Sequence, residues 1–328
     1  MRPGRALAVR AAAGRVGCRA PRASPPMPAC AFLTMDHADD FVVYDRDAVA
    51  PLAALGWTVD EVPWRSGADW GAYDVVVVRS PWDYQDAPAA FFDVLAQIDR
   101  QTRLENPLAV MRWNVEKTYL RDLEAAGVPI VPTLWAGGLT ADVLADAARQ
   151  WGEVVAKPQV SANADGTFRL PAGVAGGVAD GPAGWAEALS ALADRPSMVQ
   201  PFLRSVVEEG EWSVFAFGGR VSHAILKTPA SGDFRVQEEH GGRIQSVSPS
   251  DDLLAVTRAA LAAVPWPEPL LYARVDAVRL ADGSLAIIEL ELIEPSLYFP
   301  YGPGSAERFA AALAGAVPGG VAESSRAT

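Results

Sequence analysis

Hydrophobic and polar positions divide most of the chain into short apolar runs separated by polar or glycine-marked breaks. "CAFLT" at 30–34 predicts a first strand, 47–55 a helix ended by Gly56, "WTVDEVPW" a second strand, and Val75–Val78 a fully buried third. This β-α-β-α-β alternation predicts a parallel sheet, with ligands met at the carboxyl ends of its strands. Arg79, Ser80, Trp82 and Asp83 stand at such an end, and Arg79, Ser80 and Asp83 are the candidate substrate contacts. The pattern breaks at Asn106-Pro107. A helix over 115–126, a strand over 130–135, a helix over 141–151 and the strand "EVVAKP" are predicted next.

Later, "SMVQPFL" reads as a strand, "GEWSVFAFGGRVSHAILKTP" as a hairpin turning at Gly218-Gly219, and "GSAERFAAALAGAV" as an amphipathic helix. Another helix is predicted over 252–263. The polar loop "QVSANADGTFRL", with Ser161, Asn163 and Gly166, has the small residues that close over phosphates, but it is not a Walker A loop.

The stretch "LLYARVDAVRLADGSLAIIELEL" reads as a hairpin with Asp282-Gly283 in a two-residue turn. Ala281 then lies opposite Ser284, Asp276 opposite Glu289, and Arg274 opposite Glu291. Alternation puts Ile287, Glu289 and Glu291 on one face and Ile288, Leu290 and Leu292 on the other. A solvated edge strand is the bland account of such carboxylates. Three carboxylates beside one arginine are better suited to a hard divalent cation, which takes oxygen ligands together with substrate phosphates, and Arg274 would neutralise charge on what the metal holds.

Composition narrows the classes. The chain has 328 residues, half of them hydrophobic, with mean hydropathy +0.10, enough for a core divided over two or three subdomains. A formal charge of −12 argues against a nucleic-acid partner. No apolar run approaches the roughly 20 residues of a membrane span. Cys18 and Cys30 are the only cysteines, which excludes a disulfide framework and suits a reducing cytoplasm. The first 35 residues hold six arginines and no acid. Residues 1–29 therefore read as a leader, an organellar presequence or an over-long start, and 319–328 as a frayed tail.

The order of "RSPWDY", "RWNVEKTYL", "GVPIVPT" and "ELELIEPSLYF" resembles the ATP-grasp superfamily over about residues 30–315. The similarity is to its glutathione-synthetase-like, D-alanine–D-alanine-ligase-like and O-ureidoserine cyclo-ligase members. That resemblance implies an α/β (α+β) fold of three subdomains: a parallel-sheet pre-ATP-grasp unit at 30–111, a nucleotide-covering unit at 112–199 and a metal-bearing unit at 200–318. It implies ATP and Mg²⁺ (or Mn²⁺) as cofactors and a small molecule as partner. It also implies no nucleic acid or membrane, and it leaves homo-oligomerisation open.

By the same resemblance, Lys117, Lys157 and Ser161 meet nucleotide phosphates. Gln200 and the Phe202–Leu203 backbone meet the base, and Glu211 the ribose. Arg235, Arg274 and Lys227 serve the reacting groups, and Asp276, Glu289 and Glu291 the metal. The family often has Glu-x-Asn where this chain has Glu289-Leu290-Glu291, which leaves the number of metal ions open. The implied reaction is ADP-forming carboxylate–amine ligation. A two-substrate amide ligase, a kinase that stops at phosphorylation, and a non-catalytic ATP-binding module are the alternatives.

Because residues 1–27 hold neither periodic apolar faces nor motif residues, their deletion should leave activity and melting temperature unchanged. A steady-state assay and a thermal melt of the truncated protein check this.

Overall fold

A computed structural model describes residues 27–161, 164–172 and 184–317. The expectations for Asn163, for most of the leader and for the tail lie outside these residues. Three sheets follow one another along the chain, and among the described residues no helix is long and apolar enough to cross a membrane.

The first sheet contains β1 (Ala29–Thr34), β2 (Thr58–Pro63), β3 (Val75–Ser80) and β4 (Arg103–Glu105). All pairs are parallel and the order is β2-β1-β3-β4. The order reverses between β1 and β3, so the loops leaving these two strands frame a crevice. Strand β3 is buried throughout, as its four consecutive valines require. Helices α1 (Val49–Ala54) and α2 (Pro88–Gln101) accompany the sheet.

Helices α3 (Leu108–Asn114) and α4 (Tyr119–Ala125) occupy the segment read as a single helix. They are separated because the Lys117 N–H donates to the Gln159 carbonyl at 2.8 Å rather than continuing a helix. Next come β5 (Leu134–Ala136), α5 (Ala141–Trp151), β6 (Val154–Pro158), β7 (Phe168–Leu170), α6 (Trp185–Leu192) and β8 (Ser197–Pro201). Their four strands pair antiparallel in the order β5-β8-β6-β7. Strand β5 begins later than its apolar run, since Ile130 bridges instead to Ile287 in the last sheet.

That last sheet has the order β11-β10-β9-β12-β13 and is antiparallel. Its strands are β9 (Glu211–Phe217), β10 (Arg220–Thr228), β11 (Arg243–Val247), β12 (Tyr272–Arg279) and β13 (Leu285–Glu291). Helix α7 (Arg204–Glu208) precedes it, and α8 (Asp251–Ala262) and α9 (Ser305–Ala316) pack on it. Gly218 and Gly219 both have positive φ, +55° and +75°, as a two-residue primed turn requires. Leu120, Leu123, Val128 and Ile130 share a core with Val214, Val275 and Leu290. The segment around α4 thus packs on the five-stranded sheet.

Two polar side chains fasten this sheet to the first. Asn106 donates to the carbonyls of Tyr272 and Leu292, both at 2.9 Å, and accepts from the Leu271 N–H. The Tyr272 hydroxyl lies 2.8–3.2 Å from the carbonyls of Ile293, Val78 and Glu105.

The structure places Arg79, Ser80 and Asp83, the expected substrate contacts, apart from the residues that line the central cleft. Arg79 is fully buried. It pairs with Asp45 at 3.0 Å and donates to the Pro295 carbonyl at 2.8 Å, so its charge is spent inside the protein. Ser80 is also buried. Asp83 accepts from the Trp64 indole at 2.8 Å and pairs with Arg65. What the loop after β3 offers to the crevice is Trp82 and Tyr84.

Arg79→Met would leave Asp45 buried without its cation, at a cost of about 3–5 kcal/mol. Urea denaturation should register that loss, and adding Asp45→Asn should recover much of it.

Candidate functional site

The β12–β13 hairpin carries Arg274, Asp276, Glu289 and Glu291, and its geometry departs from expectation. The loop has three residues, not two. Gly283, at φ +87°, donates to the Leu280 carbonyl at 2.9 Å, and Leu280 N–H reaches Ser284 O at 2.8 Å. A three-residue loop with glycine in the left-handed position is the next commonest hairpin solution. It would shift the register by one, but a bulge between Asp276 and Ala277 restores it. Ala277 pairs with Ile287 while Asp276 pairs with Glu289, leaving Ile288 as the extra residue.

The pairs Asp276–Glu289 and Arg274–Glu291 therefore stand as expected. The isoleucines exchange faces: Ile287 joins Leu290 and Leu292 in the core, while Ile288 lines a cleft with Glu289 and Glu291. Asn114 and Tyr119 hold this stretch from behind. Asn114 donates to Leu290 O and accepts from Leu292 N, each at 2.8 Å, and the Tyr119 hydroxyl accepts from Leu290 N at 2.9 Å.

The cleft lies between the two antiparallel sheets and the crevice of the first, and encloses about 1670 Å³, part of it open to solvent. Thirteen sequence-predicted residues line it: Lys117, Lys157, Ser161, Gln200, Phe202, Leu203, Glu211, Lys227, Arg235, Arg274, Asp276, Glu289 and Glu291. Lys117 pairs with Glu289 at 3.0 Å and donates to the Ser161 carbonyl at 2.8 Å. Lys227 pairs with Glu211 at 2.5 Å and Asp276 at 3.5 Å. Arg274 pairs with Asp276 at 3.0 Å and with Glu291, and the Ser213 hydroxyl donates to Asp276 at 2.5 Å. Among the described residues, no carboxylate lies within ion-pairing distance of buried Lys157.

Burial opposes charge on every one of these groups, and the neighbours decide which keep it. Burial pushes Asp276 up, but Arg274 and Lys227 outweigh it and hold the carboxyl below its ordinary value. Burial also works against Glu289, yet Lys117 and Lys157 keep it low. For Glu291 burial wins, with Glu289 and Asp276 adding repulsion against Arg274, and its pKa rises to about 8. Burial pulls the Lys157 ammonium below its usual range.

Asp276, Glu289 and Glu291 can present one oxygen each within 4.8 Å of one another. Three oxygen donors at one mouth fit a divalent cation completed by phosphate oxygens, and Glu291, raised by burial and repulsion, is a carboxyl that such an ion would draw back into its charged form.

Two expected base contacts are partly occupied. The Gln200 amide donates to Thr133 Oγ1 at 3.0 Å, and the Phe202 N–H to the Glu153 carbonyl at 2.9 Å. Arg235 is partly exposed and lies on the 229–242 connection, pairing with Asp233 at 2.8 Å. Sequence reasoning missed Glu294, which lines the cleft with Phe41, Trp82, Tyr84, Ser296 and Tyr298. The available signal was its position three residues after Glu291 in an otherwise apolar stretch.

Residues 30–106 match the family model described as the D-cycloserine synthetase DcsG N-terminal domain. The cycloserine biosynthesis protein DcsG of Streptomyces lavendulae is 35% identical over 272 residues, covering 79% of this chain and 89% of the relative. The crystal structure of D-cycloserine synthetase DcsG superposes with a TM-score of 0.76 at 31% identity, covering 88% of this chain and 99% of that one. A D-alanine–D-alanine ligase from Bacillus anthracis shares the fold, with a TM-score of 0.60 at 11% identity over 88% of this chain and 95% of that one.

Glu289→Gln removes one charge from the carboxylate set and leaves Lys117 its bond to Ser161. The variant should keep its melting temperature within a few degrees, lose turnover at ordinary Mg²⁺, and bind Mn²⁺ more weakly in the presence of a non-hydrolysable ATP analogue. Thermal melts, an ADP-release assay and manganese paramagnetic resonance measure the three.

Proposed function

The chain belongs to the ATP-grasp ligases, ADP-forming enzymes that make C–N bonds, and from that membership we propose that it is an ATP- and Mg²⁺-dependent cyclo-ligase acting on a small amino acid of the O-ureidoserine type. The observation that carries the reading is the set Asp276, Glu289 and Glu291, charge-matched by Arg274, Lys117 and Lys227 around one cleft. The 35% identity to a cycloserine biosynthesis protein over 89% of that relative supports ring closure as the reaction.

We take the three sheets as three subdomains with the nucleotide held between the last two. Lys117 and Lys157 meet its phosphates, and Lys157, unpaired among the described residues, recovers its charge when phosphate oxygens arrive. Ser161 accompanies them. Pro201, Phe202 and Leu203 flank the base, Glu211 meets the ribose, and Asp276, Glu289 and Glu291 would hold Mg²⁺. The ion, when bound, supplies Lewis acidity and neutralises phosphate charge.

A carboxylate is a poor acyl donor because its leaving group would be an oxide. In the proposed chemistry its oxygen attacks the terminal phosphorus of ATP, ADP departs, and an acyl phosphate remains. The ureido nitrogen bonded to oxygen then attacks the carbonyl carbon, the C–O bond to phosphate breaks, and the nitrogen's proton leaves with the phosphate. Arg274 and Arg235 neutralise the charge that grows on the transferring group and on the carbonyl oxygen. Loss of the carbamoyl group, by hydrolysis to carbon dioxide and ammonia, completes a cycloserine product. No side-chain nucleophile is required; positioning and charge neutralisation do the chemistry.

Incubation with O-ureido-D-serine, ATP and Mg²⁺ tests the reading. ADP and phosphate should appear together with cycloserine, never AMP and pyrophosphate. Arg274→Ala should depress kcat at least ~100-fold with a smaller change in ATP affinity, because the lost contact acts mainly on the transition state. Absence of ADP above background with every amino acid offered would overturn the proposal.

A further inference from the structure

One corner of the cleft lies outside the metal and phosphate machinery. Phe41 and Trp82, 5.3 Å apart between ring centroids, form one wall. Tyr84 is buried and held by stacking on Phe91 at 4.6 Å. Across from them, the segment after β13 contributes Glu294, Ser296 and Tyr298. The two sides are joined by the Trp82 indole, which donates to the Glu294 backbone carbonyl at 2.8 Å.

Glu294 differs from the other cleft carboxylates in its company. Glu211, Asp276, Glu289 and Glu291 each have a lysine or arginine within ion-pairing distance. Among the described residues Glu294 has none, and the neutral Tyr84 hydroxyl is a neighbour that acts on its carboxyl. A carboxylate set in an aromatic corner, lining the cleft without an ion-pair partner, is an incomplete charge pair. Beside the Arg274 and metal-carboxylate set, where a reacting carboxylate must sit, the missing partner is a cation borne by the substrate itself.

We propose that Glu294, with Tyr84 beside it, is the anchor for the α-ammonium group of the substrate and makes the cleft selective for amino acids over their desamino counterparts. The inference rests on the amino-acid-ligase reading above and deepens it. Burial raises the Glu294 carboxyl to about 7, against the opposing pull of Tyr84 and Lys117, and an ammonium docked beside it would hold it ionised. The aromatic wall excludes water from the pair, which strengthens it.

The test compares wild type, Glu294→Gln and Tyr84→Phe on O-ureido-D-serine and on its desamino analogue, 3-(ureidooxy)propanoic acid. ADP release gives KM, and calorimetric titration gives Kd even for a variant that no longer turns over. Glu294→Gln should raise KM and Kd for the amino acid roughly 100-fold, as loss of one partner of a desolvated charge pair does, with the ATP KM unchanged. Tyr84→Phe should raise them to a smaller extent. The wild-type preference for the amine-bearing compound should vanish in Glu294→Gln. Wild-type turnover combined with an unaltered KM, Kd and preference in Glu294→Gln would overturn the anchor alone. Failure of wild type to release ADP with any amino acid would overturn the ligase reading, and the anchor with it.

Discussion

The structure is organised around the problem of burying opposite charges together. Lys117, Lys227 and Arg274 pair with Glu211, Asp276, Glu289 and Glu291 in one cleft, and breaking such a pair would cost several kcal/mol. The partners come from different elements. Glu211 and Lys227 face each other across β9 and β10, Arg274 and Glu291 across β12 and β13, and Lys117 arrives from the interruption between α3 and α4. Each pairing thus constrains the relative placement of whole elements. Gly210 illustrates the demand: at φ +114°, a Cβ there would come within 2.6 Å of the Lys227 carbonyl, so only glycine lets β9 enter close enough to β10 to set Glu211 against Lys227.

Register legibility in the sequence was real but rested on two departures that cancel. Reading Asp282-Gly283 as a two-residue turn gave the correct opposition of Asp276 with Glu289, although the loop has three residues and Ile288 is bulged out. Period-two alternation cannot anticipate a bulge, because the extra residue leaves composition untouched and alters only which face each side chain takes. The error therefore fell on Ile287 and Ile288, where both residues are apolar and the sequence offers no penalty for the exchange. Strongly patterned elements, such as Ala141–Trp151 and the Gly218-Gly219 turn, were read correctly because amphipathic periodicity and paired glycines are local signals.

Residues whose role depends on a distant partner were harder. Arg79 stands where a parallel strand meets a crevice, and nothing adjacent reveals that Asp45, 34 residues earlier, neutralises it. The strand-end rule points to the loop after β3, where Trp82 and Tyr84 line the cleft, while Arg79 braces the sheet from inside against the Pro295 carbonyl. Glu294 is illegible in the sequence for the converse reason. It lies inside the stretch "ELELIEPSLYF", and that no lysine or arginine pairs with it among the described residues is visible only in the assembled neighbourhood.

The two arginines of the cleft illustrate how environment divides labour between identical side chains. Arg274 is buried among Asp276 and Glu291, and the charge set around it holds its guanidinium in one place before any ligand arrives. Arg235 is partly exposed, and its partner Asp233 is two residues away on the same connection. A solvent-screened pair of that kind contributes little, so Arg235 can exchange Asp233 for an incoming phosphate at small cost. Its connection is itself fastened at the far side, where Glu238 accepts from the hydroxyls of Tyr44 at 3.0 Å and Tyr301 at 3.1 Å. In the proposed reaction, preorganisation therefore belongs to Arg274 and adaptability to Arg235. A site that must bind a highly charged nucleotide, neutralise a transition state and then release ADP needs one of each.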